Sequence, residues 1–326
     1  MTDRDDASGR RTGRDETRAG AHGRAPKLSV ALITYNQEGY IGDCLQSIVD
    51  QVVDFDYEVV IGEDCSPDGT LEIVRRFESK YPGIVRVLHD RNHGVCGNFA
   101  RTILACTGKY VALAEGDDLW VDARKLALQV DYLDRNPDCA LCFHDVEVLT
   151  EKTGEKSEFY GMMAGAKPGE RTTILDLLPG NYISTCSTVF RRSSVTGFPP
   201  GFDKMLIGDY GLFLMVAQHG WMGFIDKMMS MYRVHDRNAW ANRDYLYRIE
   251  GTISAMENVI PLMQKRYAEL VRQRVFWWNY EAARVLSTRG DETEARTYAR
   301  RCAEYLRAHD LGVRPEVVAK LNTIMA

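Results

Sequence analysis

From Lys27 onward the chain alternates short apolar runs with stretches of helical spacing. Residues 28–33 (LSVALI) read as a buried strand that stops at Thr34-Tyr35-Asn36. Tyr40, Ile41, Cys44, Leu45, Ile48 and Val49 then recur as one face of a helix. A second strand, 57–61 (YEVVI), ends in Gly62-Glu63-Asp64, and Leu71, Val74 and Phe77 mark a second helix reaching to Pro82. Residues 84–88 form a third strand, 98–106 a helix closed by Gly108, and 110–114 a fourth strand running into Glu115-Gly116-Asp117-Asp118. Strands alternating with helices require right-handed βαβ crossovers, hence an α/β fold with a mostly parallel central sheet. The polar ends of strands one, two and four then share one edge, where open α/β sheets take their ligands. That edge selects Thr34, Tyr35, Asn36, Glu63, Asp64, Glu115, Asp117 and Asp118.

Further along, 125–135 reads as a helix, 140–148 as a strand, and the polar stretch 151–170 as a mobile loop that could cover a site. A strand at 187–191 precedes Asp209, which opens a helix over 210–219 ended by Gly220. From about 241 the pattern is helical. Pro261 starts a long amphipathic segment through Trp277 and Trp278 to Leu286, and Gly290 breaks it. Asp291 and Glu294 stand at capping-box spacing for a further helix, with Tyr298, Cys302, Tyr305 and Leu306 on one face. The two tryptophans suit core packing, or a homodimer interface through these helices. The expected division is a disordered tail over 1–26, an α/β domain over 27–240, and a C-terminal helical region over 241–326.

The tail assignment rests on composition: residues 1–26 hold six Arg and five acidic residues, with Met1 the sole large apolar side chain. Over the full 326 residues, 41 Lys+Arg against 46 Asp+Glu give a net charge of -5. No basic face of the kind a nucleic-acid binder needs follows from that balance. The eight cysteines do not resemble a disulfide scaffold in a chain this long, and no run approaches the ~18–20 apolar residues of a membrane span. A soluble cytoplasmic protein is the expectation.

Three carboxylates in four positions repel one another, and a hard divalent cation such as Mg²⁺ or Mn²⁺ relieves that repulsion. A solvated acidic turn is the plainer alternative for Glu115–Asp118. Asp64 could accept from a nucleobase N–H or close an Asx-turn before Ser66-Pro67-Asp68-Gly69, and Tyr35 could stack on a base or pack. Asp209 suits either a helix cap or a general base, and His235 either a metal ligand or a loop histidine. Cys139-Ala140-Leu141-Cys142 is set aside as a zinc site, since strand positions three apart point to opposite faces.

Together, SVALITYN (29–36), EVVIGEDCSPDGT (58–70), RNHGVCGNF (91–99), GKYVALAEGDDLW (108–120) and YRVH (232–235) resemble family 2 glycosyltransferases in order and spacing. The resemblance implies a GT-A fold, a Rossmann-like three-layer sandwich, here followed by a C-terminal helical appendage. It implies inverting transfer from a nucleotide-diphosphate sugar, a UDP-sugar foremost, to a glycan, lipid carrier, peptide or small metabolite. Thr34, Tyr35 and Asn36 would line the nucleotide pocket, Asp64 would accept from the base, and Asn98 would lie against the nucleotide. Glu115 and Asp117 would hold the ribose and approach the metal, Asp118 would be the main carboxylate on Mg²⁺ or Mn²⁺, and His235 would contact the metal or the diphosphate. Asp209 would be the catalytic base. Glu115 stands where many members have Asp, and the segment after Gly94 lacks the common Ala-Arg-Asn. A sugar-phosphate nucleotidylyltransferase, or a degenerate transferase acting as a scaffold through its helical tail, are the competing readings.

Overall fold

Ile33 lies beside Glu115, and Thr34 beside Glu63, in the register of a parallel sheet, so three strand ends meet at one edge. The computed structural model describes residues 25–162, 167–236 and 243–326; most of the expected tail lies outside the described residues. The first half runs β1 (Leu28–Thr34), α1 (Ile41–Val49), β2 (Tyr57–Glu63), α2 (Thr70–Lys80), β3 (Val85–Leu88), α3 (Gly94–Ala105) and β4 (Tyr110–Glu115). Then come β5 (Leu119–Trp120), α4 (Lys125–Arg135), β6 (Cys139–Thr150), β7 (Glu155–Glu158), α5 (Phe159–Met162), β8 (Arg171–Thr172) and α6 (Ile174–Leu177). The chain continues through β9 (Val189–Arg191), α7 (Asp209–Ala217) and β10 (Trp221–Val234). It ends in α8 (Tyr245–Val259), α9 (Lys265–Arg289), α10 (Glu292–Ala308) and α11 (Pro315–Met325).

The strand order is β3-β2-β1-β4-β9-β6-β10-β5, with β7 on β6 and β8 on β10. Strands β3, β2, β1 and β4 are parallel, as βαβ crossovers require, and so are β6 and β10. The expectation of a mostly parallel sheet fails beyond β4. Short β9 enters between β4 and β6 running antiparallel to both, and β5, β7 and β8 are antiparallel to their neighbours too. The sheet is mixed. β10 was not legible as a strand: its methionines and the Asp226-Lys227 pair hide the alternation, and its pairing with β6 slips register near Ile225 and Met228. Within 151–170, expected as an irregular loop, Glu155–Glu158 pairs with β6 and Phe159–Met162 is helical.

Helices cover both faces. Ile41, Leu45, Ile48, Val74, Leu126, Val130 and Leu133 pack on one side, Phe99, Ile103, Leu212 and Phe213 on the other. The three-layer α/β architecture therefore holds. The C-terminal helices extend the second layer: Ile253, Met256, Val271, Phe276, Ala299 and Cys302 are buried in the same cluster as Phe99 and Phe213. A fully buried Val, Leu or Phe contributes about 1.5–3 kcal/mol, so α9 alone, with Val271, Val275, Phe276 and Leu286 buried, matters on the scale of a domain's whole net stability. Gly290 stops α9 in the left-handed region at φ 86°, its N–H returning to Leu286 and Ser287 carbonyls. Trp278 packs against the core while Trp277 remains 39% exposed. Among the described residues no helix is long and apolar enough to cross a membrane.

Candidate functional site

The loop after β1 is built to stay open. Thr34 is buried and donates from Oγ1 to Gln37 Oε1 at 2.8 Å. Gly116 is required beside it, because a Cβ there would lie 2.5 Å from Gln37 Oε1 and 2.6 Å from Thr34 Oγ1. Asn36 sits at φ 56°, a left-handed conformation Asn tolerates, and its N–H donates to Ser66 Oγ at 2.9 Å. Tyr35, between them, is 50% exposed and presents its ring to solvent.

Across from it, the fully buried Glu63 carboxylate accepts from the backbone N–H of Cys65 and of Ser66 and pairs with His89 Nδ1 at 2.5 Å. These bonds hold Cys65 at φ 60°, an unusual conformation for a side-chain-bearing residue. Asp64 is buried; its Oδ1 accepts from His93 N–H at 2.7 Å, and Arg101 approaches it to 4.0 Å. Asn98 does not join this group. It is buried, donates to Gly62 O at 2.7 Å and accepts from Arg101 Nε at 2.9 Å, so its amide is spent bracing Arg101. The expected nucleotide contact at Asn98 therefore gives way to a supporting one.

The acidic turn is tight, with Asp118 N–H donating to Glu115 O at 3.0 Å. Asp118 is 1% exposed, yet neither carboxylate oxygen has a hydrogen-bond partner. Burial pushes its pKa well up, and the neighbouring Glu115 and Asp117 charges add to the rise. Glu115 is pushed up to about 8 by burial, then by Asp117 and Asp209. Asp117 meets His235 Nε2 through Oδ2 at 3.0 Å, and its carbonyl accepts from Arg233 at 3.4 Å. The His235 ring stacks on Tyr40 at 4.9 Å with a 12° interplanar angle. Among the described residues no three His, Cys, Asp or Glu side chains form a ready-made metal cage. An orphaned buried carboxylate nevertheless fits a hard cation completed by substrate phosphates, as Mg²⁺ sites with one or two protein carboxylates are.

Asp209 is the first residue of α7, capped by Gly208 rather than capping the helix itself. Its Oδ2 accepts from Asn181 Nδ2 at 3.0 Å and Thr185 Oγ1 at 3.3 Å, and its Oδ1 from Tyr210 N–H at 2.7 Å. Burial raises its pKa, and these bonds oppose the rise. Asn181 is itself oriented by accepting from Ile183 N–H at 3.0 Å. The turn at Thr185 leads to Thr188, whose carbonyl accepts from Leu113 N–H at 3.1 Å, two residues before Glu115. That link brings Asp209 to the edge holding Glu115–Asp118. Sequence reasoning missed Asn181 and Thr185, which carry no local motif. It also missed Arg101 and Lys125, although Lys125 and Gln129 at i, i+4 on the apolar face of a helix are a legible anomaly.

The zinc reading of Cys139 and Cys142 fails, although the two side chains do not diverge as expected. The pairing with β10 skips Ala140, so both thiols face the α4 side, while Ala140 and Leu141 face the other. What is missing among the described residues is a third ligand.

Residues 29–197 match the profile of glycosyl transferase family 2, which is more than half of the chain. The chain belongs to glycosyltransferase family 2. An uncharacterized protein of Mycobacterium tuberculosis is 36% identical over 219 residues, 65% of this chain and 60% of the relative. The chain thus covers less than two thirds of that relative's length. The dTDP-rhamnosyl transferase RfbG of Shigella flexneri is 23% identical over 284 residues, covering 80% of this chain and 86% of that one. Among solved structures, residues 1–349 of Staphylococcus aureus TarS with UDP-GlcNAc superpose with a TM-score of 0.61 at 18% identity, covering 90% of this chain and 83% of TarS 1–349. The mannosyltransferase PcManGT of Pyrobaculum calidifontis, with GDP-Man and Mn²⁺, gives a TM-score of 0.56 at 18% identity, covering 92% and 79%. At those identities the superpositions establish the shared fold.

Proposed function

We propose that this chain transfers a glycosyl group, with inversion, from a nucleoside-diphosphate sugar to an acceptor hydroxyl. The observation that carries the reading is that one edge holds carboxylates in two kinds of environment, Asp118 buried and Asp209 half-buried. Asp118 is orphaned, and Asp209 is held by three hydrogen bonds. Environments that separate carboxylates in this way assign them different roles. Asp209 accepts the acceptor proton as the acceptor oxygen attacks the anomeric carbon. The new C–O bond forms on the face opposite the breaking bond to the diphosphate. Tyr35 offers its exposed ring to the base, Asp64 accepts from the base N–H, Thr34 and Asn36 shape the loop, and Glu115 reaches the ribose. Asp118, with Asp117 and His235 alongside, would hold Mg²⁺ or Mn²⁺. Bound there, the cation would offset charge on the departing diphosphate.

UDP-GlcNAc in TarS and GDP-Man with Mn²⁺ in PcManGT support a donor of this class, with UDP-sugars first to test. A thermal-shift screen of UDP-, GDP- and dTDP-sugars with and without Mn²⁺ is the direct experiment, since a ligand that binds the native state raises its apparent stability. A Mn²⁺-dependent shift with one donor class is expected. No shift with any nucleotide sugar would overturn the reading.

A further inference from the structure

Three consecutive backbone N–H groups of the loop after β1 each end on a different side chain of the turn after β2. Asn36 N–H donates to Ser66 Oγ at 2.9 Å, Gln37 N–H to Thr70 Oγ1 at 2.9 Å, and Glu38 N–H to Asp68 Oδ2 at 3.1 Å. The turn reciprocates: Gly69 N–H donates to Glu38 Oε2 at 2.7 Å, while Thr70 N–H is held by Asp68 Oδ1 at 3.0 Å. None of the three loop residues lies in a helix or strand. Amides in such a loop commonly turn to water, and the loop stays mobile. Here their partners stand 30 to 33 residues away, so two separate segments are locked in one register.

The turn is itself anchored, since the N–H groups of Cys65 and Ser66 both end on the fully buried Glu63 carboxylate. Among the described residues, Asn36 and Cys65 are the two other than glycine with positive φ, and Ser66 bonds to the first and follows the second. Each directly follows a residue of the proposed base pocket, Tyr35 and Asp64. The backbone around Tyr35 is therefore fixed on both sides. Thr34 O accepts from Asp64 N–H at 3.1 Å on one side, and Ser66 holds Asn36 on the other. Above that fixed backbone the Tyr35 ring stays half exposed.

We propose that Ser66, Asp68 and Thr70 are positioning residues that clasp the Tyr35 loop to the Asp64 turn, setting the ring in place relative to the carboxylate before a nucleobase arrives. A loop ordered in advance lowers the entropy lost on binding. This deepens the transferase reading and rests on it for the roles of Tyr35 and Asp64. The test is a double-mutant cycle on nucleotide affinity of the full chain. UDP, GDP and dTDP are titrated calorimetrically with Mn²⁺, and the tightest of them is then used on Ser66→Ala, Tyr35→Ala and the double variant. Ser66→Ala removes one acceptor and should raise the dissociation constant about fivefold, the scale of one hydrogen bond. In the Tyr35→Ala background the same change should matter less than about twofold, because the ring it positions is gone. Equal factors in both backgrounds, or no loss in Ser66→Ala, overturn the proposal. If Ser66→Ala does not fold, Asp68→Asn takes its place, since an amide can accept only one of the two N–H groups that Asp68 now holds. Amide exchange of nucleotide-free protein gives a second readout, in which Ser66→Ala should speed exchange at Asn36; unchanged protection also overturns the clasp. A wild type that binds none of the three nucleotides removes the transferase reading and this role together. A wild type that binds, with an additive cycle, removes this role alone.

Discussion

Asp209→Asn is the sharpest perturbation of the proposed mechanism, because it removes one proton acceptor and almost no volume. General-base catalysis is worth about 10²–10⁴-fold, or roughly 2.7–5.4 kcal/mol of barrier. The structural cost can be set beside that. In wild type Oδ2 accepts from Asn181 and Thr185 and Oδ1 from Tyr210 N–H, so every rotamer of an asparagine points its NH₂ at a donor. Asn181 cannot simply flip, since its Oδ1 is held by Ile183 N–H. One unsatisfied donor costs about 1–3 kcal/mol. Removing a carboxylate whose burial already disfavours its charge returns part of that. The net change in stability is therefore small beside the loss of turnover. The assay is release of nucleoside diphosphate from whichever donor the thermal-shift screen selects, with calorimetric binding of UDP and Mn²⁺ as the control. Turnover should fall at least a hundredfold with the nucleotide dissociation constant within about threefold of wild type. Near-normal turnover in Asp209→Asn would remove that residue from the base role and leave the donor site standing.

Asp118→Ala should abolish Mn²⁺-dependent UDP binding in calorimetry; binding that keeps its Mn²⁺ dependence would move the metal elsewhere. Glu115, raised from 4.5 to about 8, binds its proton more tightly folded than unfolded. Its contribution to stability is thus full below pH 4.5 and lost as pH climbs to about 8. Metal-free protein should lose up to a few kcal/mol across that window and Glu115→Gln should flatten the slope, as urea titrations at pH 5 and 8 would reveal. Lys125 acts elsewhere on the scale: lowered from 10.5 to about 8, it binds its proton less tightly folded than unfolded, so stability rises with pH between about 8 and 10.5, above that window. Gly116→Ala should destabilise by about 1–3 kcal/mol and weaken donor binding, because its methyl drives into Thr34 and Gln37. An unchanged urea midpoint would mean the loop yields freely.

The parallel half of the sheet was legible because each of its strands is a short apolar run ending in polar residues, and crossover geometry puts those ends on one edge. Thr34, Asp64 and Glu115 fall where that argument placed them, with Thr34 and Glu63 in register and Asp64 N–H donating to Thr34 O. The antiparallel half was not legible. β9 has three residues, and β10 has few β-branched side chains and a register slip, so neither alternation nor composition marks them. Asn98 shows the limit of carrying a motif by position: the residue lies in the right segment, but its amide turns inward to Gly62 and Arg101. Cys139 and Cys142 show the limit of ideal strand geometry, since one skipped residue reverses which face a side chain occupies.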